Sequence, residues 1–457
     1  MNANSARLKL VTKLRISLLL IVLQLPMKGG DNMKNNILST LFVGIDVSSK
    51  TNVLCALDFQ GNKLLNLKAL NNQPGAESIL KSILDCLNSN NLKYAVIALE
   101  STSIYSIHVA NFLSSHEDLI PFEPKVYCLN PKTIVNYRKS FVDMDKTDPL
   151  DAYIIADFAR CGRISSSPWR GSQFLALQRL TRHRLHLVEC ITREKTYMVS
   201  NIYLKFSELA VLDKDNKPFS NNYGATSAAV LTEFLSLDDI TYSSIENLVE
   251  FVKEKGKNRF NNPQVTAQLL QKAARDSYRL DKVLYEPLNI AIASSFNLIK
   301  TFQSEVKTID KAIEKTIKGI NTTEYLSLRS IPGIGPVLAS GILAEIGSIN
   351  AFQSHNALAK YAGLTWRVNQ SGDYNSDDTN MTKTGNKYLR YYLIEAANSV
   401  KNNSAEYKQY YNKKFDEVTT HQHKRALALT SRKLVRLIFS LLTKNQIYSS
   451  NKVGETQ

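Results

Sequence analysis

Phe42-Val43-Gly44-Ile45-Asp46-Val47, followed at once by Ser48-Ser49-Lys50, is the stretch around which the fold is organised. An apolar run of this length bounded by polar residues predicts a buried strand. A carboxylate is costly inside such a strand unless a metal, another cation or an exposed strand end compensates its charge. On this stretch alone, an Asp46 that merely starts a turn is an equally good interpretation. Further carboxylates at matching places must therefore decide between the two.

The residues that follow predict a mixed α/β sheet of the ribonuclease-H type. Turn signals at Gly61-Asn62 and Pro74-Gly75 separate the first elements. Three hairpin-connected strands come first, and helices then alternate with strands. The predicted strands cover 41–47, 52–58, 63–70, 94–99 and 125–129, and the predicted helices cover 76–87 and 103–113, with another beginning at Asn130-Pro131.

Three further carboxylates stand at suggestive places in this region. Glu100 directly follows a predicted central strand, and Asp148 and Asp151 lie three apart in a predicted helix that Thr147 would cap. The simpler interpretation is that acids near a helix N-terminus stabilise its dipole. Together with Asp46, however, they form a set that predicts a site for two divalent cations. Ligands that are all oxygen atoms favour Mg²⁺ or Mn²⁺ over zinc.

The charge of the chain points to a polyanionic partner. Its net charge is +16 and its pI is about 9.4. Because the basic residues are spread along the whole chain, nucleic acid is favoured over a membrane surface, with a merely basic soluble protein as the alternative. The five cysteines are odd in number, far apart and without a Cys-x-x-Cys pair. This argues against a disulfide framework and a zinc site, and predicts a reducing, cytoplasmic location.

The first 37 residues predict an extension to the folded protein. Ile16–Leu25 is an apolar run preceded by basic residues, as in a signal peptide. It lacks a small-residue cleavage site and is too short to span a bilayer as a helix. We therefore expect a dispensable extension over 1–37, a folded domain that begins near Leu38, and no membrane partner.

Two long apolar stripes at helical spacing dominate the middle of the chain. One runs from Leu180 to Ile202 and the other from Leu288 to Ile317, on either side of a polar segment over 207–265. They predict an antiparallel, coiled-coil-like pair of helices that carries oligomer contacts. The alternative is that the two helices pack only on each other.

The last third of the chain carries glycine and basic motifs. Ile331-Pro332-Gly333-Ile334-Gly335 predicts a glycine hairpin between helices whose backbone N–H groups hold a phosphate, with an ordinary packing corner as the alternative. Lys383, Lys387 and Arg390 surround a predicted helix start and form a candidate clamp on a nucleic-acid backbone. A final basic helix is predicted over 423–444.

Taken together, these motifs resemble the Asp-Glu-Asp-Asp insertion-sequence transposases related to the Piv DNA invertases, the IS one-ten type. The resemblance rests on the strand ending at Asp46, on Ala98-Leu99-Glu100-Ser101-Thr102 and on Lys146-Thr147-Asp148-Pro149-Leu150-Asp151-Ala152. In the last third it rests on the Gly333 hairpin, Gly363-Leu364, Gln370-Ser371-Gly372 and the segment from Gly385-Asn386 to Leu389-Arg390.

The resemblance implies an organisation and a chemistry. The implied parts are a RuvC-like catalytic domain (38–165), a helical, coiled-coil-like linker (166–325), a mainly α-helical carboxy-terminal transposase domain with a helix-hairpin-helix-like element (326–445) and a tail (446–457). It implies that Ser371 attacks a DNA phosphodiester, although from the residues alone Ser371 is only a serine in a polar loop. It also implies dimers or tetramers in which one subunit's carboxylates complete another's serine site, and a structured guide RNA in some members.

The sequence thus predicts a DNA transposase or recombinase that uses the metal-binding carboxylates and a serine. The runner-up is a metal-dependent, structure-specific DNA endonuclease resembling a Holliday-junction resolvase, which cuts with water. A third hypothesis is a non-catalytic nucleic-acid-binding protein that uses the glycine hairpin and the basic helices.

Overall fold

The computed structural model describes residues 37–101, 104–141, 147–164, 168–213, 215–320, 323–366, 370–371, 374–375 and 381–449. The chain forms two compact units, Met1–Ser172 and Gln173–Gln457. The predicted extension lies outside the described residues except for Ile37, and the predicted tail is described only as far as Ser449. The finer four-part division by residue ranges stays a prediction.

A five-stranded mixed sheet with β1 at its centre forms the first unit. The strand order is β3-β2-β1-β4-β5, with β1 antiparallel to β2 and parallel to β4. The predicted α/β sheet is therefore confirmed. The strands are β1 (Thr40–Val47), β2 (Thr51–Leu57), β3 (Lys63–Leu70), β4 (Tyr94–Glu100) and β5 (Lys125–Leu129).

Helices cover both faces of this sheet, as the apolar residues on both sides of β1 require. Leu41, Val43 and Ile45 share one apolar cluster with residues of the first two helices. Phe42 instead clusters with residues of the fourth helix. The helices of this unit are α1 (Gln73–Ser89), α2 (Ser106–Ser115), α3 (Pro131–Arg138) and α4 (Asp148–Arg160).

Gly44 allows α4 to lie directly on β1. A Cβ atom at this position would be 2.3 Å from both the Ala152 carbonyl oxygen and the Ala156 nitrogen. Phe42, two residues earlier on β1, clusters with Ile155 and Phe158 further along α4. Helix and strand therefore run in opposite directions, and the first turn of α4 lies toward the Asp46 end of β1.

Two long antiparallel helices organise the second unit, as the apolar stripes predicted. They are α5 (Ser172–Lys205) and α11 (Lys282–Ile320). Arg184 Nε lies 2.6 Å from Asp310 Oδ1, and Ser295 Oγ donates to Glu194 Oε1 at 2.6 Å. From the first contact to the second, the residue number rises on α5 and falls on α11. This confirms that the two helices are antiparallel. The oligomer contacts assigned to these helices stay a prediction.

Five short helices form a small core against one end of this helix pair. Lys205 is buried among them, and its ammonium group donates to the carbonyls of Leu231 and Phe234 and to Asn289 Oδ1. Burial lowers the pKa of Lys205 to about 8. The helices are α6 (Ser207–Val211), α7 (Ala225–Glu233), α8 (Leu237–Thr241), α9 (Ile245–Lys255) and α10 (Pro263–Asp276).

The remaining helices form a bundle whose core also includes Leu177 of α5 and Ile313 of α11. They are α12 (Thr323–Arg329), α13 (Pro336–Ile346), α14 (His355–Ala362), α15 (Lys387–Asn403), α16 (Ala405–Asp416) and α17 (Gln422–Lys444). Two short strands, β6 (Gln370–Ser371) and β7 (Tyr374–Asn375), pair between α14 and α15. Within the described part of the chain, no helix has the length and apolar character needed to cross a membrane.

Candidate active site

Asp46 and Glu100 lie at the same edge of the sheet. The parallel register of β1 and β4 runs up to Ile45 opposite Leu99, and Asp46 and Glu100 are the next residues on the two strands. Adjacent strands are about 4.8 Å apart, and side chains alternate between faces. Asp46 therefore shares the face of Phe42 and Gly44, which α4 covers, and Glu100 lies beside it on that face.

Asp148 and Asp151 occupy the first turn of α4, with Thr147 at the predicted capping position. Asp148 is exposed, and it lines the same cleft as Val53, the β2 partner of Asp46. Asp151 is half-buried and forms an ion pair with Arg138 of α3. The fold thus brings the four predicted carboxylates to one edge of the sheet, together with an arginine that the sequence did not indicate.

These four side chains suit a hard divalent cation because every donor is a carboxylate oxygen. Among the residues that the structure describes, however, no three His, Cys, Asp or Glu side chains lie close enough together to hold a metal ion. The carboxylates therefore share an edge without forming a preassembled ligand set. Arg138 engages Asp151, so this ion pair has to open before Asp151 can act as a ligand.

Ser371 belongs to the second unit, in the hairpin of β6 and β7. Its backbone pairs with that of Tyr374. Its side chain, like that of Gln370, lies outside the described residues. What the structure does describe is how the two ends of this loop are held together.

The segments on either side of the Ser371 loop run side by side and form a neck, which we define as residues 361–366 and 381–386. Thr382 N donates to Thr365 O at 2.8 Å, and Asn386 N donates to Tyr361 O at 2.7 Å. Arg390, on the first turn of α15, closes the neck: its Nη1 donates to the carbonyl oxygens of Ala362 and Lys383, each at 3.0 Å.

Two glycines make the neck narrow enough to close. Gly363 has φ +69°, and a Cβ there would lie 2.5 Å from Thr384 O. Gly385 has φ +121°, and a Cβ there would lie 2.3 Å from Tyr361 O. A residue with a side chain at either position would have a strained backbone conformation and would also push the two segments of the neck apart.

A buried polar network anchors the neck to the bundle. Arg182 of α5 donates two hydrogen bonds to Glu345 of α13, from Nε to Oε1 at 2.7 Å and from Nη2 to Oε2 at 2.9 Å. The Glu345 side chain is completely buried. Asn386 caps α15 through Oδ1 and donates its Nδ2 to Glu345 Oε2 at 2.7 Å. Burial alone would lower the pKa of Arg182, but the hydrogen bonds and charge of Glu345 raise it above its ordinary value.

Most of this network was not predicted from the sequence. Asn386 was recognised only as part of the motif from Gly385 to Arg390, and neither Arg182 nor Glu345 was given a role. A polar residue next to a predicted helix start is a recognisable capping signal for Asn386. No sequence signal pairs Arg182 with a carboxylate 163 residues away.

The predicted phosphate-binding residues fall into different environments. Gly333 has φ +94°, and a Cβ there would lie 2.9 Å from the Ser399 carbonyl group of α15, so packing explains this glycine. Gly335 precedes α13, and the nearest atom to a Cβ added there would be Arg329 Nη1, at 4.0 Å. Lys383 and Lys387 are exposed, whereas Arg390 is directed into the neck. Their nucleic-acid contacts stay a prediction.

Comparison with known proteins matches both parts of the chain that carry these residues. Residues 43–204 match the transposase family DEDD_Tnp_IS110, and residues 326–412 match the transposase family described as IS116/IS110/IS902. The class of the protein is therefore a DNA transposase or recombinase. The chain belongs to the IS110-type insertion-sequence transposases.

Individual relatives agree with this assignment. The 44.8 kDa protein of insertion element IS116 from Streptomyces clavuligerus is 21% identical over 90% of this chain and 96% of its own length. The transposase for insertion sequence element IS1111A from Coxiella burnetii is 26% identical over 39% of this chain and 53% of its own. The pilin gene-inverting protein of Moraxella lacunata is 30% identical over 30% of this chain and 44% of its own.

Proposed function

We propose that this transposase cuts and rejoins DNA strands with a metal-binding carboxylate set on a RuvC-like domain and with Ser371 as the nucleophile. The observation that carries the proposal is the meeting of β1, β4 and the first turn of α4 at one sheet edge, because it gathers carboxylates that are distant in sequence. The match of residues 326–412 to a transposase family supports a role for the segment that holds Ser371.

Asp46, Glu100, Asp148 and Asp151 are the residues that would hold Mg²⁺ or Mn²⁺. Bound there, such an ion would stabilise the negative charge that develops on a phosphate during strand cleavage. The protein contributes the positions of the carboxylates: two on adjacent parallel strands, and two on a helix fixed to the sheet at Gly44. The Arg138 guanidinium neutralises Asp151 in the structure, and Asp151 would have to leave this ion pair to hold an ion.

Ser371 would supply the nucleophilic oxygen. Its Oγ–H bond loses the proton, an Oγ–P bond to the DNA phosphate forms, and the bond from phosphorus to one sugar oxygen breaks; that oxygen leaves with a proton. The strand is then held as a phosphoserine ester until a second strand's hydroxyl displaces the serine. The neck suits this task because its hydrogen bonds fix the two ends of the segment that carries Ser371.

The proposed partners are DNA and a second copy of this chain. The net charge of +16 supports binding to a polyanion. The long helices α5 and α11 are the proposed oligomer contacts, in a dimer or a tetramer. A structured guide RNA is part of the proposal, as is action in the cytoplasm, where the DNA lies.

The test is a search for a covalent protein–DNA adduct. Full-length protein is incubated with element-end DNA, RNA that co-purifies with it, and Mg²⁺, then denatured and resolved by gel and mass spectrometry. We expect an adduct on Ser371 that disappears in Ser371→Ala while DNA binding remains. Ser404→Ala is the matched control, since Ser404 makes no capping hydrogen bond with its side chain and lies in the same unit.

The same assay separates the runner-up. Asp46→Asn should abolish cleavage, and Asp85→Asn, on the exposed side of α1, should not. A structure-specific nuclease that uses water would give cleavage without an adduct, with Ser371→Ala as active as the wild type. That result would refute the role of Ser371 as the nucleophile and would be compatible with the carboxylate site.

A further inference from the structure

Two arginines on α17 lie where that helix meets the start of α14. Arg432 Nη1 donates to the His355 carbonyl oxygen at 3.2 Å, and its Nη2 bonds Asn356 Oδ1. Arg436 follows one helical turn later on α17 and is exposed. The first guanidinium is thus held in place by α14, and the second stands beside it at the surface. We call Arg432, Arg436 and His355 the α14–α17 corner.

The two arginines of this corner have no carboxylate partner in the part of the chain that the structure describes. Among the described residues, no carboxylate lies within ion-pair distance of Arg432 or Arg436. Burial and the charge of Arg436 both lower the pKa of Arg432. Burial lowers the pKa of His355 as well, and the two arginines lower it further.

Two other cations of the same helix lie within ion-pair distance of a carboxylate. Arg425 Nη1 lies 3.1 Å from Glu417 Oε2, and Lys433 Nζ lies 2.6 Å from Glu406 Oε1. The corner therefore differs from these two positions of α17. Two like charges held within one turn destabilise the free protein, and a bound anion would remove that cost.

The start of α14 strengthens the case for an anion. Ser354 caps this helix by accepting from Ala357 N at 3.3 Å. The positive end of the helix dipole therefore lies beside Arg432, which bonds the first two residues of α14. A planar guanidinium can present two N–H groups to a phosphate, which makes arginine the residue most suited to that ligand.

We propose that the α14–α17 corner binds a backbone phosphate of double-stranded DNA. The inference rests on the proposed function, because a recombinase must hold its duplex independently of base sequence, and phosphate contacts do this. The corner is separate from Gly333, Gly335, Lys383, Lys387 and Arg390. It would therefore assign a phosphate contact to two named arginines of the basic helix predicted over 423–444.

The experiment measures the salt dependence of duplex binding. Full-length wild type and Arg436→Gln are titrated with a generic duplex of about 30 base pairs at several salt concentrations between roughly 50 and 200 mM. The slope of log K against log salt is negative, and each lost phosphate contact reduces its magnitude by about 1. We expect that reduction in Arg436→Gln, which is exposed and so leaves folding intact by circular dichroism.

Lys433→Gln is the matched control, because it removes a cation of the same helix that is ion-paired with Glu406. We expect its slope to equal that of the wild type. An unchanged slope in Arg436→Gln, or an equal reduction in both variants, overturns the inference. A reduction seen only with an RNA hairpin of matched length also overturns it and assigns the corner to RNA. Failure of the wild type to bind any duplex overturns the proposed function itself, which is a distinguishable result.

Discussion

Replacing Gly44 by alanine is expected to displace α4 from the sheet and to disable the carboxylate edge. The added Cβ would lie 2.3 Å from the Ala152 carbonyl oxygen and the Ala156 nitrogen, which are backbone atoms and cannot rotate away. Ordinary contacts are about 3.5–4.0 Å, so the helix has to move by roughly 1 Å. Overpacking of this kind costs about 1 to 3 kcal/mol, and we expect the upper end of that range.

The effect on catalysis should exceed the effect on stability. Asp151 directly precedes Ala152, so a shift of α4 carries Asp148 and Asp151 away from Asp46 and Glu100. A misplacement of about 1 Å in a catalytic group can cost roughly 100-fold in rate. The measurements are thermal denaturation by circular dichroism and Mg²⁺-dependent DNA cleavage, made on the same preparations.

The control is a glycine-to-alanine substitution at a position where the added Cβ contacts no other atom. A Cβ at Gly319, near the end of α11, meets no atom within 4 Å, so Gly319→Ala should be neutral or stabilise by up to about 1 kcal/mol. If Gly44→Ala is as stable and as active as the wild type, α4 does not rest on β1 as described. The four carboxylates would then not be held at one edge of the sheet by this contact.

Two other predictions concern the second unit. Asn386→Ala removes the α15 cap and a charge-assisted hydrogen bond to buried Glu345, so urea unfolding should show a loss of about 2 to 4 kcal/mol. Asn262→Ala, at the capped start of α10, should lose only about 1 kcal/mol, and equal losses would contradict a role for Glu345. The pKa of buried Lys205 is lowered to about 8, so the folded state binds fewer protons than the unfolded state between pH 8 and 10.5. The free energy of unfolding should therefore rise with pH in this range, by up to about 3 kcal/mol. Lys205→Met should lack that rise in urea denaturation at about pH 7.5 and 9.5, and a parallel rise in both proteins would show that Lys205 is not its source.

The strands of the first unit were predictable because their signals are local. Apolar runs bounded by Gly61-Asn62 and Pro74-Gly75 set the limits of β1, β2 and β3 to within about a residue. Strand alternation also fixes that Phe42, Gly44 and Asp46 share a face. What the sequence could not supply is which helix covers that face, because the contact of Gly44 with Ala152 joins residues more than 100 positions apart.

Charge partners were the least predictable part of the candidate site. Asp151 was recognised as a candidate ligand, but its ion pair with Arg138 depends on how α3 packs beside α4. Likewise, Glu345 lies in an apolar helix, and only the fold shows that Arg182 and Asn386 satisfy its buried carboxylate. A buried charge requires such partners, yet that requirement does not identify them in the sequence.

The basic residues in the segment from Gly363 to Arg390 lie in two different environments. In the sequence alone, its basic residues form one clamp on nucleic acid. In the fold, Arg390 directs a guanidinium N–H group to two carbonyls of the neck, and burial lowers its pKa. Lys383 and Lys387 remain exposed beside it. A charge that closes the neck has less reach toward a phosphate. The proposed function therefore requires other contacts to the duplex, and the α14–α17 corner, with two arginines that no described carboxylate pairs, is the site that we propose for one of them.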